Sequence, residues 1–164
     1  ALGDYESQLL TARRWAKEWH FRIGVHFLRG VIGADESGEQ YADLAEVYES
    51  DASYEAGTVV HFGGEKEVSQ CDIDHCRKVA GVVSTNPAYL MNGGFTAENI
   101  AVVALTGRVP TKVTGTVAKG DMMVSDGTGR ARAEADPKVG AVIGKALADF
   151  DGQDGVIEVV VGRV

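Results

Sequence analysis

Long hydrophobic runs are missing from this 164-residue sequence. Because no stretch of about 18 consecutive apolar residues occurs, we expect no membrane insertion. A basic excess is missing as well: 16 Lys and Arg stand against 24 Asp and Glu, which gives a net charge of −8. Binding to phosphates needs a basic surface, so we expect no nucleic-acid partner.

Cysteine is scarce, and both cysteines lie in the segment CDIDHC (71–76). As metal ligands, Cys71, Asp74, His75 and Cys76 offer two thiolates, a carboxylate and an imidazole. A structural zinc site normally adds a second, distant ligand pair, which here has to come from the other histidines. A disulfide between the cysteines requires a tightly folded loop. We predict a polar loop with no metal or other cofactor, and keep the metal site and the disulfide as alternatives.

Patterns for catalysis and phosphate binding are weak or absent. His75 has Ser84 and Thr85 nearby as hydroxyl nucleophiles, but nothing in the spacing requires these groups to meet. The segment SDGTG (125–129) lacks the residue order of a phosphate-binding loop, and the acidic residues of 35–51 do not match the calcium-loop template. We therefore predict no catalytic residues and no enzyme activity, and keep a single-turnover self-cleavage as an alternative.

Glycine is abundant, with 21 residues, about twice the usual share of about 7%. The glycines lie between short, Val-rich runs, which is typical of tight turns between strands. We predict a mainly β fold, a small antiparallel β-sandwich or barrel. A Gly63-Gly64 turn should join two strands into a hairpin, and residues 41–51 have the spacing of a short helix. Strands are predicted at 57–63, 66–69, 79–83, 100–105, 109–113, 122–124, 131–134, 140–147 and 156–164, with a turn at 151–155.

The first 40 residues differ in pattern from the rest, so we divide the chain into an arm (1–40) and a β domain (41–164). The arm is predicted to contain a helix at 1–18, a strand at 19–28 and an acidic linker at 33–40. The strand alternates strictly between apolar and polar residues. A strand with large apolar residues on one face needs a partner that covers this face, and threefold assembly would bury it. The predicted oligomer interface consists of Trp19, Phe21, Ile23, Val25 and Phe27.

Five motifs follow one another in the β domain: YADLAEVYESDASYEAGTVVHFGGEKEVS, HCRKVAGVVSTNPAYLMN, VALTGRVPTKVTGTVAKGDMMVSD, GAVIGKAL and IEVVVGRV. Together they resemble a C-terminal domain common in tail fibres and related virion proteins of marine and other tailed phages. The upstream TARRWAKEWHFRIGV and GVIGADESG are similar to the segment that precedes this domain in such fibres. The resemblance implies a mostly β, trimeric structural protein of the virion, with itself and other virion proteins as partners.

The domain is also similar, more distantly, to the intramolecular-chaperone domain of phage tail appendages, which helps a trimer to assemble and then cuts itself off. This resemblance keeps a self-cleaving chaperone as an alternative, with the acidic linker 33–40 as the region of cleavage. Because the sequence begins with Ala1, we expect a processed product or the end of a longer polypeptide. A capsid decoration protein or an adhesin that binds a host receptor is the remaining alternative.

Overall fold

Ten β-strands and no helix make up residues 43–162, the part of the chain that this computed structural model describes. The predicted mainly β fold is therefore confirmed. None of these residues forms a helix long and apolar enough to cross a membrane. The strands are β1 (Asp43–Glu49), β2 (Val59–Phe62), β3 (Val68–Gln70), β4 (Val79–Val83), β5 (Tyr89–Met91), β6 (Ile100–Val117), β7 (Met122–Ser125), β8 (Ala131–Ala133), β9 (Val142–Ala146) and β10 (Phe150–Val161).

Strands β6 to β10 close into a barrel. β6 pairs with β8, β8 with β7, β7 with β9, β9 with β10, and β10 returns to β6. All these pairings are antiparallel except β6–β8, which is parallel. Closure of the ring leaves these strands without an open edge, so the barrel alternative of the prediction is right.

The long strand β6 also carries a second set of strands. Its first half pairs with β1 and β4, while its second half pairs with β10 and β8. β2 continues from β4 and pairs with β3, and β5 runs parallel to β1. One strand therefore belongs to both halves of the described structure.

Two hydrophobic clusters fill the interior, and β2 contributes to both. Successive side chains of a strand point to opposite faces, so Val59 packs in one cluster and Val60 in the other. The larger cluster contains residues of the barrel, among them Val109, Val113, Val117, Met123, Ile143, Val159 and Val161. The smaller cluster contains Val60, Val68, Ala80, Val83, Ala101 and Val103.

The predicted helix at 41–51 is wrong, because Asp43–Glu49 forms strand β1. Burial alternates along it: Asp43, Ala45 and Val47 are buried, and the residues between them are half-buried. The residues that suggested helical spacing divide between the two faces of the strand: Ala45 is buried, and Leu44 and Tyr48 are half-buried. Pairing with β6 on one side and β5 on the other decides the outcome, since tertiary contacts override local preference.

Three further boundaries differ from the prediction. The runs at 100–105 and 109–113 are one strand, and Gly107 lies inside it. The predicted turn at 151–155 is part of β10, where the register shifts between Gly152 and Gly155. Such a bulge accommodates extra residues without ending the strand. The segment 89–91, which carries no strand prediction, forms the edge strand β5.

The Gly63-Gly64 hairpin is present between β2 and β3, and its glycines have φ values of 155° and 85°. The predicted helix at 1–18, strand at 19–28, linker at 33–40 and interface residues Trp19 to Phe27 lie outside the described residues.

Candidate functional site

The two cysteines lie in the loop between β3 and β4, and both point into the interior. Cys71 is fully buried, Cys76 is 2% exposed, and both are free thiols in the barrel-side cluster. Asp74 and His75, predicted beside them as metal candidates, interact with other parts of the chain. The loop therefore separates the four candidates into an inner thiol pair and an outer polar pair.

His61 of β2 joins the thiols instead. Its imidazole and the Sγ atoms of Cys71 and Cys76 lie within 4.8 Å of one another, and all three residues are buried. In the part of the chain that the structure describes, this is the group of His, Cys, Asp and Glu residues close enough to hold a metal ion. His61 is placed there by the pairing of β2 with β3 and β4, opposite Ser69 and Val79.

The ring of His61 is held from one side. Its Nε2 atom lies 3.4 Å from the Ser69 hydroxyl, and a Cβ on Gly63 would come within 2.9 Å of Nε2 and Cδ2. Nδ1 is buried and has no hydrogen-bond partner among the described residues. Oδ1 of Asp72 lies 4.0 Å from Nδ1.

Burial controls the chemistry of the thiols. It raises the pKa of Cys71 to about 11, because the interior disfavours the thiolate. The Cys71 thiol donates a weak hydrogen bond to the carbonyl of Ile73, at 3.5 Å. The backbone N–H of Lys78 donates to Sγ of Cys76, at 3.4 Å. Without a bound cation, Cys71 is therefore protonated and unreactive at neutral pH.

The outer part of the loop is tied to the barrel by charged groups. Arg132 donates from Nε and Nη2 to the two carboxylate oxygens of Asp74, at 2.8 and 3.2 Å, and from Nη1 to Glu134, at 2.9 Å. Arg132 lowers the pKa values of both carboxyls. The N–H of His75 donates to the carbonyl of Ser125, at 2.8 Å, so the loop is held on the barrel strands β7 and β8.

Replacing Arg132 with Met should lower the unfolding temperature near pH 7 and reduce the further decline of that temperature in acid. A carboxyl whose pKa is lowered by folding stabilises the fold above its ordinary pKa, and this contribution is lost as pH falls through the lowered value. Wild-type unfolding temperature should therefore decline below about pH 4. The unfolding temperature of the variant should be a few degrees lower near pH 7 and should decline less below about pH 4. Arg108→Met, which removes the exposed contact of Arg108 with Glu158 at 3.6 Å, is the control. Equal acid slopes in wild type and R132M would contradict this role.

His75 does not meet the hydroxyls considered as its nucleophiles. Its Nε2 atom accepts a hydrogen bond from the N–H of Lys138, at 2.9 Å, and its Nδ1 atom lies 3.8 Å from Oε2 of Glu134. The Ser84 hydroxyl bonds to the carboxyl of Asp43, whose pKa is raised by burial. His75 also has a φ of 57°, a strained value for a residue with a side chain, which the Lys138 and Ser125 contacts hold in place.

His61 lies between Ser69 and Asp72, as the histidine does in a Ser-His-Asp catalytic triad, but the contacts of these residues are not those of a triad. Ser69 is 8% exposed, and its hydroxyl donates to the carbonyl of Gly63, at 3.0 Å. The 4.0 Å between Asp72 and His61 is too long for a hydrogen bond. Since the hydroxyl proton is directed away from the imidazole, the arrangement favours ligand binding at His61 over nucleophilic attack by Ser69.

Sequence reasoning finds the cysteines but not the histidine that meets them. His61 lies well upstream of Cys71, outside any ligand-spacing motif. The available signal is the predicted hairpin at Gly63-Gly64, which turns the chain back so that β3 delivers Cys71 beside β2.

No family model matches this sequence, and no curated protein matches it either. The structure is similar to the pre-mature gene product 12 of bacteriophage phi29, with a TM-score of 0.57 and 15% sequence identity. That match covers 75% of this chain and 22% of the phage protein, so this chain corresponds to a small part of it.

A second similarity, to the N base of the phi29 head fibre gp8.5, has a TM-score of 0.45 and 12% identity, and it covers 71% of this chain and 92% of that chain. The second score is too low to establish a common fold. At 15% identity the first shows a shared fold: the described barrel has the fold of a segment of a phage protein.

Proposed function

We propose that this chain is a structural virion protein, a module of a phage tail fibre or tail-associated appendage that assembles as a homotrimer. The observation that carries the proposal is the fold shared with a segment of phi29 gene product 12. The ordered motifs of residues 41–164, which resemble the C-terminal domain of tail fibres, support it independently. A fold hosts many functions, so the role in the virion rests on this analogy.

Exposed apolar residues at a strand edge support the assembly. The edge strand β5 pairs with β1, and its residues Tyr89 and Leu90 are 63% and 42% exposed. Ile100, 43% exposed, begins strand β6, which pairs with the other side of β1. An exposed apolar strand edge favours pairing with another chain. A further copy of this chain, or another protein of the same appendage, would cover this surface.

A self-cleaving chaperone is the second candidate. The similar phi29 protein is described in a pre-mature form, which is a statement about that protein. The shared fold and the distant resemblance to the chaperone domain of tail appendages bring self-processing into consideration here. A receptor-binding role remains compatible with the same scaffold, with a host surface as the partner.

Gold-labelled antibodies against residues 43–162 should mark an appendage of the purified virion in electron micrographs. The label is expected on tail fibres or on a tail-associated structure. A label confined to the capsid surface would favour a decoration protein, and purified virions without label would contradict a virion role. The mass of the chain in the same virions, measured after denaturation, separates the second candidate. A virion chain with the same mass as the freshly expressed precursor favours the structural module, whereas a loss of mass relative to that precursor favours self-cleavage.

A further inference from the structure

We propose that His61, Cys71 and Cys76 form a binding site for a transition metal ion of the zinc class. The ion would be held by two thiolates and one imidazole. Strand β2 supplies the histidine, and the loop after β3 supplies the cysteines. The ligand atoms already lie within 4.8 Å of one another in a buried position. The site is independent of the proposed role in the virion.

The unpaired nitrogen of His61 is a second observation that points to a ligand. Nδ1 is buried without a hydrogen-bond partner among residues 43–162, and His61 as a whole is 6% exposed. Buried polar atoms are nearly always paired, so an unpaired one needs an explanation. Nε2, by contrast, already faces Ser69 and Gly63. A metal ion bound at Nδ1 would complete the pairing of the imidazole, with Nε2–H directed to Ser69 as an outer partner.

The distances fit with a small inward movement. A tetrahedral zinc ion with Zn–S bonds of about 2.3 Å and a Zn–N bond of about 2.0 Å places its ligand atoms about 3.5–3.8 Å apart. From the observed limit of 4.8 Å, the ligand atoms must approach one another by about 1.0–1.3 Å at most. Asp72 offers a fourth ligand, because its exposed carboxylate lies 4.0 Å from Nδ1 and can turn toward the ion.

The ligand set selects the class of metal. Thiolates and imidazole prefer Zn²⁺ and similar soft or borderline ions, whereas Ca²⁺ and Mg²⁺ prefer oxygen ligands. The N–H of Lys78 already points at Sγ of Cys76, a contact that stabilises a thiolate. Arg132 and Ser125 fix the outer loop through Asp74 and His75, so the cysteines are held in position before a metal arrives.

A disulfide between Cys71 and Cys76 is the competing chemistry for the two thiols. It would join the sulfurs but leave Nδ1 of His61 buried and unpaired. A metal ion uses all three groups. The metal site therefore accounts for more of the observed geometry than the disulfide does.

Cobalt titration of the full chain tests the proposal. The protein is reduced with a phosphine, freed of metal with a chelator, and titrated with Co²⁺, which reports thiolate ligands by an intense charge-transfer absorption. We expect one Co²⁺ per chain with this absorption and its displacement by Zn²⁺. C71S and C76S should each weaken binding at least about 100-fold. His75→Gln is the matched control and should bind as wild type, because it removes an imidazole that faces away from the thiols but keeps the backbone N–H that donates to Ser125 and offers an amide oxygen to accept from Lys138.

Three results would overturn the proposal: no thiolate absorption in excess Co²⁺, absorption retained in both cysteine variants, or equal loss in His75→Gln. Circular dichroism of each metal-free variant shows whether it is folded. If the cysteine variants do not fold, alkylation of the wild-type thiols decides the question. Zn²⁺ should slow the labelling of Cys71 and Cys76, and unchanged labelling would contradict the site. A chain that takes no metal but forms the disulfide in air would also overturn it.

Discussion

Replacing Phe21 and Ile23 with Asp should convert the proposed trimer into monomers or aggregate, as measured by light scattering. The wild-type chain is expected to have the mass of three copies. Strict alternation over Trp19–Phe27 predicts a strand with one face of large apolar residues, which the proposed trimer would bury. With about 2 kcal/mol for each of the five side chains, burial contributes on the order of 10 kcal/mol per chain before entropy is subtracted. Two buried, unpaired carboxylates would offset much of this stabilisation.

His20→Asp with His26→Asp is the matched control for this prediction. It places two carboxylates at the polar positions of the alternating pattern, the opposite face of the predicted strand, and the proposed trimer should persist. If the Phe21 and Ile23 variant kept an unchanged, stable trimer, the face would have no role in assembly.

Gly144→Ala should destabilise the barrel by about 3 kcal/mol or more, because there is no room for a side chain. Gly144 lies in β9 between Met123 of β7 and Val161 of β10. A Cβ there would stand 2.0 Å from the carbonyl oxygen of Val160 and 2.7 Å from its carbonyl carbon. These are backbone atoms, so relief requires β9 and β10 to separate. Denaturant unfolding of the purified variant measures the loss.

Gly94→Ala is the control for the glycine prediction. A Cβ at Gly94 would have no atom within 4 Å, so the stability should be unchanged or slightly raised. If Gly144→Ala unfolded at the same denaturant concentration as Gly94→Ala, the close approach of β9 and β10 would be absent in solution.

Most strands follow from the sequence, and the exceptions have physical reasons. The hairpin at Gly63-Gly64 is correctly predicted, since its glycines supply the conformations that such a turn needs. β1 is missed because Leu44, Ala45 and Tyr48 have helical spacing, whereas in the strand Ala45 lies on the buried face and Leu44 and Tyr48 on the half-buried face. The bulge in β10 resembles a turn, because Gly152 and Gly155 flank polar residues. In both cases a distant strand, β6, decides the structure.

The candidate site is less predictable than the fold. Cys71 and Cys76 stand out by rarity alone, and the sequence places both in one loop. The orientation of the residues between the cysteines depends on contacts with distant parts of the chain. Arg132 binds Asp74 on the outer side of the loop, and the N–H of Lys138 donates to His75. His61 enters only through the pairing of β2 with β3, which no local motif encodes.

Strand β6 has a mechanical consequence for a protein built into an appendage. Residues Ile100–Val117 run without interruption from the smaller cluster to the barrel, so the two are connected by a paired backbone and not by a hinge. A pulling force along this strand loads its hydrogen bonds with β1 and β10 in shear, many at once. Breaking them one after another would require a different direction of force.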